Sequence, residues 1–333
     1  MEKKILEEIK CFLFNKDNFV ISSHIRSDGD SIGSELAIAE LLRLLKKKFF
    51  IFNNNECNEY LKFLPEIEEI KTELSLPENE IENIIILDSA FSDRLGNRVY
   101  EKLKKVKEEN IVIIDHHPNK IINNKTYIKT SASSTGELIY DLLEYIGIEI
   151  NDKLAIYLFT AIFTDTYGFR QQNTTARAFE IFSKIFNKLS VPYYYIIEKL
   201  YDSIRYEAIK LLGELLNTVK LTEDKKIIYG FLTREMFEKH NAIDADLENF
   251  INYLRSVKGI KVACIIRETE DNDIKVNLRA KEDEINLIPF VKKYNGGGHP
   301  LAAGFSLEKD DINKIINNLI TDLSEYINNG KRR

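Results

Sequence analysis

Four short clusters of carboxylates and imidazoles punctuate the first half of this sequence: His24-Ile25-Arg26-Ser27-Asp28-Gly29-Asp30, Leu87-Asp88-Ser89, Asp115-His116-His117 and Thr164-Asp165-Thr166. A single Asp after an apolar run is commonly a turn residue or a helix N-cap. Four clusters brought to one place mean different chemistry. Closely packed carboxylates repel one another and need cations, and the histidines add neutral nitrogen ligands. Mostly oxygen donors with some imidazole suit manganese better than zinc, and no cysteine stands in these clusters to favour a softer metal. Asp28 and Asp30 are expected in an extended loop, each facing a different metal, with Gly29 letting the backbone bend between them. A second candidate site lies far downstream. In Gly296-Gly297-Gly298-His299, three glycines read as a turn free to present N–H groups to an anion, and His299 adds a side-chain donor.

Three of the four carboxylate clusters follow short apolar runs that read as strands. Phe19–Ser22 precedes the first, Ile84–Leu87 the second and Ile111–Ile114 the third. The last two are apolar throughout, as expected for strands covered on both faces. Phe49–Phe52 is a further strand. Helical periodicity marks Ser31–Lys47, Val99–Lys107, Thr135–Ile146 and Asp152–Thr164. Strand–helix alternation of this kind predicts an α/β fold with a parallel sheet between helices, in which functional groups gather at the carboxyl ends of the strands. The Leu64–Asn83 stretch reads as an acidic surface connection. Gly33 is expected to let its helix pack closely on a strand.

The remainder reads as a helical connector followed by a smaller α/β unit. Strands are expected at Lys226–Leu232, Lys261–Arg267 and Ile274–Arg279. Helices are expected at Asp246–Val257, Asn286–Tyr294 and Asp311–Ile327. The expected domains are residues 1–185, a connector at 186–221 and a second domain at 222–333.

At 333 residues the chain is long for a single core, and 44% hydrophobic with 30% charged residues describes a globular protein rather than a disordered one. The net charge of −6 lacks the Lys and Arg excess that tracks long DNA or RNA, which favours small substrates. No run of about 18 apolar residues exists to span a membrane. The segment MEKKILEEIK is charged and amphipathic, with no signal-peptide pattern. Cys11, Cys57 and Cys264 are widely separated and form neither a disulfide framework nor a zinc spacing. A cytoplasmic location is therefore expected.

HIRSDGDSIGS, LDS, DHH and TDT, in this order, resemble the four motifs of the DHH phosphoesterases, over roughly residues 1–185. The resemblance implies a first metal held by His24, Asp28 and Asp88. It implies a second held by Asp30, Asp88, His116 and Asp165, with Asp88 bridging. Asp115 and His117 would then take catalytic roles beside the metals or toward the phosphate. GGGHPLAAG resembles the signature of the C-terminal domain found with DHH domains in nanoRNases. It implies substrate binding by Gly296, Gly297, Gly298 and His299. Val276-Asn277-Leu278-Arg279-Ala280-Lys281 resembles the strand that delivers a phosphate-binding Arg, which adds Arg279 and Lys281; Ala280 stands where Ser is usual. Asp165-Thr166-Tyr167-Gly168-Phe169-Arg170 and Asn173-Thr174-Thr175 resemble a segment commonly reading DTGGFRxxNTT. That adds Arg170 and marks Tyr167 as a departure from glycine.

Together these features imply a manganese-dependent phosphodiesterase with two Mn2+ per chain. It would hydrolyse cyclic di-AMP or short linear oligonucleotides (pApA, nanoRNA) to 5′-nucleotides. The alternative activity is a 3′-phosphoadenosine 5′-phosphate phosphatase, and the non-enzyme alternative is a catalytically dead nucleotide sensor. The expected partner is a small nucleotide or dinucleotide, not a long nucleic acid or a membrane. The chain is compatible with a homodimer.

Overall fold

The protein was analysed as a computed structural model, which describes residues 2–74, 81–247, 249–271, 273–281 and 285–329. The chain forms two compact units, Met1–Ser203 and Ile204–Arg333. The boundary falls inside the stretch that the sequence sets apart as a connector.

In the first unit, short runs of β-branched and aromatic residues form β1 (Phe19–Ser22), β2 (Phe49–Phe52), β3 (Ile70–Lys71), β4 (Asn83–Leu87), β5 (Ile111–Asp115) and β6 (Thr126–Ile128). All pair in parallel, in the order β3-β2-β1-β4-β5-β6. Alternate residues face opposite sides, as strand geometry requires. Phe19, Ile21, Ile85, Leu87, Val112 and Ile114 join the larger core. Val20, Ile84, Ile86, Ile111 and Ile113 join the smaller one. The larger core is closed by α1 (Glu2–Asn15), α2 (Gly29–Leu44), α4 (Thr135–Ile146), α5 (Asp152–Asp165) and α6 (Ala176–Phe186). The smaller is closed by α3 (Asn97–Leu103). Helix α7 (Tyr193–Ile197) runs into a π-helical turn at Glu198–Asp202.

The chain builds outward from β1 through β2 to β3, then returns to β4 on the other side of β1. Strand order reverses between β1 and β4, and such a switch point opens a crevice at the carboxyl ends of the strands. His24, Asp88 and Asp115 lie at the carboxyl ends of β1, β4 and β5.

The short strands β3 and β6 are too brief for a periodic signal to register. Two other expectations are corrected. Asp28 and Asp30 do not lie in an extended loop: Asp28 is the N-cap of α2 and Asp30 sits in its first turn. Gly33 packs not on a strand but on α5, where an added Cβ would come 2.6 Å from the Tyr157 carbonyl. Within the Leu64–Asn83 connection, residues 75–80 lie outside the described residues.

The second unit holds a six-stranded mixed sheet of order β11-β12-β10-β9-β8-β7. Its strands are β7 (Lys220–Leu221), β8 (Ile227–Leu232), β9 (Val262–Glu268), β10 (Ile274–Ala280), β11 (Gly297–His299) and β12 (Ala302–Leu307). Among the described residues of this sheet, only β8 and β9 pair in parallel. One face packs on α8 (Tyr206–Thr218), α9 (Arg234–His240) and α10 (Phe250–Arg255). The other packs on α11 (Ile288–Lys292) and α12 (Ile312–Asn329). The glycine run is not a turn, as expected from sequence, but the edge strand β11. An added Cβ at Gly296 would meet the Gly304 carbonyl at 2.5 Å, and one at Gly298 the Ala302 carbonyl at 2.4 Å. The glycines allow this close approach.

Candidate metal centre

The first unit brings seven of the predicted side chains together. His24, Asp28 and Asp88 offer ligand atoms within 4.8 Å of one another; so do Asp30, His116 and Asp165, and so do Asp88, His116 and His117. Asp88 is thus common to two of the three groups.

Each carboxylate is aimed by its local structure. Asp28 caps α2, and its Oδ1 accepts hydrogen bonds from the Asp30 and Ser31 amides, both at 3.1 Å. Asp30 is buried and faces the N-terminus of α4. Its Oδ2 accepts from the Thr135 amide at 2.7 Å and its Oδ1 from the Gly136 amide at 2.9 Å, where the helix dipole favours negative charge. Asp88 follows β4 with φ +54°, a left-handed conformation that costs a non-glycine residue energy. Its Oδ2 accepts from Ser31 Oγ at 2.8 Å and its Oδ1 from Thr135 Oγ1 at 3.2 Å. Asp165, at the end of α5, accepts from Asn173 Nδ2 at 2.9 Å.

The histidines differ in setting. His24 Nδ1 lies 2.8 Å from the Ile25 carbonyl, a contact it makes as donor, and its Nε2 lies 3.3 Å from Asp88 Oδ2. His117 Nδ1 is 3.0 Å from Asp115 Oδ1 and 3.2 Å from Asp88 Oδ1. Asp115 is wholly buried. It also accepts from the His117 amide and from Asn119 Nδ2, so it orients His117 rather than facing the other carboxylates.

The charges are mutually strained. Burial pushes Asp30 well above the usual carboxylate range, aided by the charges of Asp88, Asp165 and Asp28. Burial likewise raises Asp165, with Asp28 and Asp88 beside it. Burial alone would raise Asp88 too, but its bonds to His117 and His24 hold it well below that range. Burial opposes protonation of His24 and His117, yet Asp88 carries His24 up to about 9. Asp115 and Asp88 carry His117 up to about 10. Burial keeps His116 below its ordinary value.

The donor set fits divalent cations. Among the described residues, the buried Nε2 of His116 has no hydrogen-bond partner. It faces Asp165 Oδ2 at 3.5 Å, Asp88 Oδ1 at 3.6 Å and Asp30 Oδ2 at 3.8 Å. A neutral imidazole nitrogen that looks at three carboxylate oxygens beyond hydrogen-bond reach has the character of a metal ligand.

Arg170 is exposed, with its guanidinium 5.2 Å from the centroid of the Tyr167 ring. The loop between Asp165 and Arg170 carries three successive left-handed residues, Tyr167, Gly168 and Phe169, at φ +48°, +64° and +64°. The glycine pattern expected at Tyr167 therefore has a conformational basis.

In the second unit Arg279 lies on β10 opposite Ala302 of β12, and His299 of β11 pairs with the same Ala302. The His299 side chain lies outside the described residues. The Arg279 guanidinium donates to the Leu278 carbonyl at 3.2 Å, and burial with Arg255 nearby lowers its pKa. Lys281 Nζ donates to the Val257 carbonyl at 3.0 Å. These residues belong to the other unit from the metal-ligating groups.

Sequence reasoning placed Ser31 and Asn173 in matched motifs without a role and did not single out Thr135 or Gly136; all four hold the carboxylates. One signal was present. Ser134-Thr135-Gly136-Glu137 has the capping-box spacing, and Ser134 does cap α4 by accepting from the Glu137 amide.

A doubly wound parallel sheet with a carboxylate–imidazole cluster that could hold metal ions at its switch point is followed by a second α/β unit. Residues 18–162 match the DHH family, N-terminal domain, and residues 224–325 match the DHHA1 domain. The chain belongs to the DHH family. Over 98% of its length it is 28% identical to the bifunctional oligoribonuclease and PAP phosphatase NrnA of Bacillus subtilis, all of which is covered. It is 27% identical to the protein of the same name from Thermus thermophilus, over 92% of this chain and 89% of that one. The crystal structure of an exopolyphosphatase-related protein from Bacteroides fragilis shares the fold, with a TM-score of 0.90, 24% identity and 98% of each chain covered. No helix among the described residues is long and apolar enough to cross a membrane.

Proposed function

We propose that this chain is a cytoplasmic phosphoester hydrolase that cleaves short oligonucleotides and dinucleotides to 5′-nucleotides at a centre of two Mn2+ ions. The observation that carries this reading is the sharing of Asp88 between clustered ligand groups at one sheet switch point. His24, Asp28 and Asp88 would hold one ion; Asp30, Asp88, His116 and Asp165 would hold the other. Divalent cations, when bound, supply Lewis-acid activation of water and neutralise charge on the phosphoryl oxygens. The chain's own part is to fix the ligands and to present donors to the substrate. Asp115 orients His117 at Nδ1, and His117 donates a hydrogen bond to the reacting phosphoryl group. Arg170 in the first unit, and Arg279, Lys281 and the 296–299 segment in the second, would serve as substrate-binding groups.

The near full-length similarity to proteins named as oligoribonuclease and PAP phosphatase supports two activities: cleavage of pApA and short RNA, and removal of the 3′ phosphate from 3′-phosphoadenosine 5′-phosphate. Cyclic di-AMP is a further substrate under this reading. The presence of all six expected ligand residues in these overlapping groups favours an enzyme over a sensor. The test is a substrate panel with Mn2+, run before and after exhaustive chelation. It comprises pApA, cyclic di-AMP, 3′-phosphoadenosine 5′-phosphate, and a 5-mer and a 24-mer RNA at equal strand concentration. Manganese-dependent turnover should be fastest on the short substrates. Faster turnover of the 24-mer, or full activity after chelation, would contradict the reading.

A further inference from the structure

Glu35 is a buried carboxylate that the proposed chemistry leaves unused. It lies one helical turn beyond Ser31 on α2, with no exposed surface. Its Oε2 accepts a 2.8 Å hydrogen bond from Asn53 Nδ2, and the Ser23 side chain also bonds to the carboxylate. It belongs to none of the clustered ligand groups. Burying a carboxylate costs stability even when it is hydrogen-bonded, and an apolar residue of the same volume would serve the core better. Its presence therefore calls for a function.

The hydrogen bonds lead to His24. Asn53, just beyond β2, is itself buried. Its Oδ1 accepts from the Ser23 amide at 3.4 Å, and Ser23 immediately precedes His24. The Ser23 and Ser27 hydroxyls lie 3.0 Å apart, and Ser27 Oγ donates to the His24 carbonyl at 2.8 Å. Helix α2 thus holds the His24 loop at two points. Ser31 Oγ lies 2.8 Å from the imidazole Nε2, and Glu35 reaches the backbone through Asn53.

We infer that Glu35 is a positioning residue for metal binding, which fixes the His24 loop through Asn53 so that the His24–Asp28–Asp88 group is preorganised for a divalent cation. Burial pushes the Glu35 acid up to about 7, with the bonds from Asn53 and Ser23 opposing it. The bond to Asn53 needs only an acceptor oxygen. A carboxamide can supply that oxygen and a thioether cannot. Groups behind metal ligands commonly change affinity by about 10- to 100-fold when removed.

This inference rests on the two-cation reading of the site, and the experiment separates the two. The full chain is stripped of metal and titrated with Mn2+ alone by calorimetry, as wild type, Glu35→Gln, Glu35→Met and Asn53→Ser. Wild type should show two binding events. Glu35→Gln should match it within about 3-fold. Glu35→Met should weaken one event by about 10-fold and leave the other, with no loss of metal-free melting temperature. Asn53→Ser cuts the same link from the other side and should give the same one-site loss, which keeps the test decisive if Glu35→Met does not fold. Wild-type binding of both ions by Glu35→Met or by Asn53→Ser would overturn the inference and leave the site reading intact. An equal loss in Glu35→Gln would overturn the hydrogen-bond route. Absence of Mn2+ binding by wild type would overturn the site reading and this inference with it.

Discussion

The Oδ2 atom of Asp30 accepts a 2.7 Å hydrogen bond from the backbone N–H of Thr135, the first residue of α4. A carboxylate pushed well above its usual range by burial and by its neighbours is thereby held by a helix N-terminus. The next amide, that of Gly136, meets the other oxygen.

Gly136 permits that approach. An added Cβ would lie 2.6 Å from the Ala161 Cβ on α5, so Gly136→Val must push α4 away from Asp30. Overpacking of this kind costs about 1–3 kcal/mol. The expected outcome is a lower melting temperature together with about 10-fold weaker Mn2+ binding, read by thermal unfolding and metal titration. Unchanged metal affinity would mean that the α4 amides do not position Asp30.

Metal binding should rise with pH. His24 is raised from its ordinary value to about 9, so at pH 7 the metal-free protein carries a proton there that a cation must displace. The raised pKa also signs the stability of the metal-free protein. The stabilisation from protonated His24 is complete below the unfolded value near 6.5 and is lost as pH rises through about 9. Mn2+ affinity should therefore increase between pH 7 and 9 with net proton release, while the metal-free protein grows less stable over the same span. Calorimetry in two buffers of different ionisation enthalpy measures the release; none at pH 7 would contradict this protonation state.

Much of this site was legible because its chemistry is local. A carboxylate after an apolar run marks a strand end, so His24, Asp88 and Asp115 could be placed before any fold was known. Asp28 and Asp30 were identified as residues but misplaced in conformation, because Asp28 has both loop character and N-cap character and only the packed helix decides between them. Thr135, Gly136 and Asn173 act through backbone amides or a single amide side chain across roughly 8 to 106 positions of sequence. No spacing rule reports such contacts. The glycine run misled for a related reason: glycine's freedom serves a turn and a close strand pairing equally, and β12 decides for pairing.

At Tyr167 the backbone and the side chain pull in opposite directions. Its φ of +48° suits glycine, while its ring meets Tyr201 edge-on with centroids 5.4 Å apart. Tyr167→Ala should lose the ring and keep the strain; Tyr167→Gly should lose both. The glycine variant is expected to be about 1 kcal/mol more stable than the alanine variant in urea unfolding. The reverse order would show that this loop is not strained.

Arg279 lies on the second unit, apart in sequence from every ligand residue. Arg279→Ala should raise KM for pApA by about 10-fold or more, as expected for a lost charge-assisted phosphate contact. Bound Mn2+ per chain should not change. Loss of metal in this variant, measured by elemental analysis, would assign Arg279 a structural role instead.

The central claim is that hydrolysis depends on a carboxylate shared by two cations, and Asp88 is that carboxylate. The asparagine oxygen keeps an acceptor for one of the two hydroxyls, Ser31 or Thr135, and the other hydroxyl can rotate to accept from the amide nitrogen, so Asp88→Asn should fold. The decisive measurement is the rate of AMP release from pApA by Asp88→Asn beside wild type, both at saturating Mn2+. The account predicts a loss of about 1,000-fold or more, since the shared ligand supports both ions. Turnover within a few-fold of wild type would contradict it.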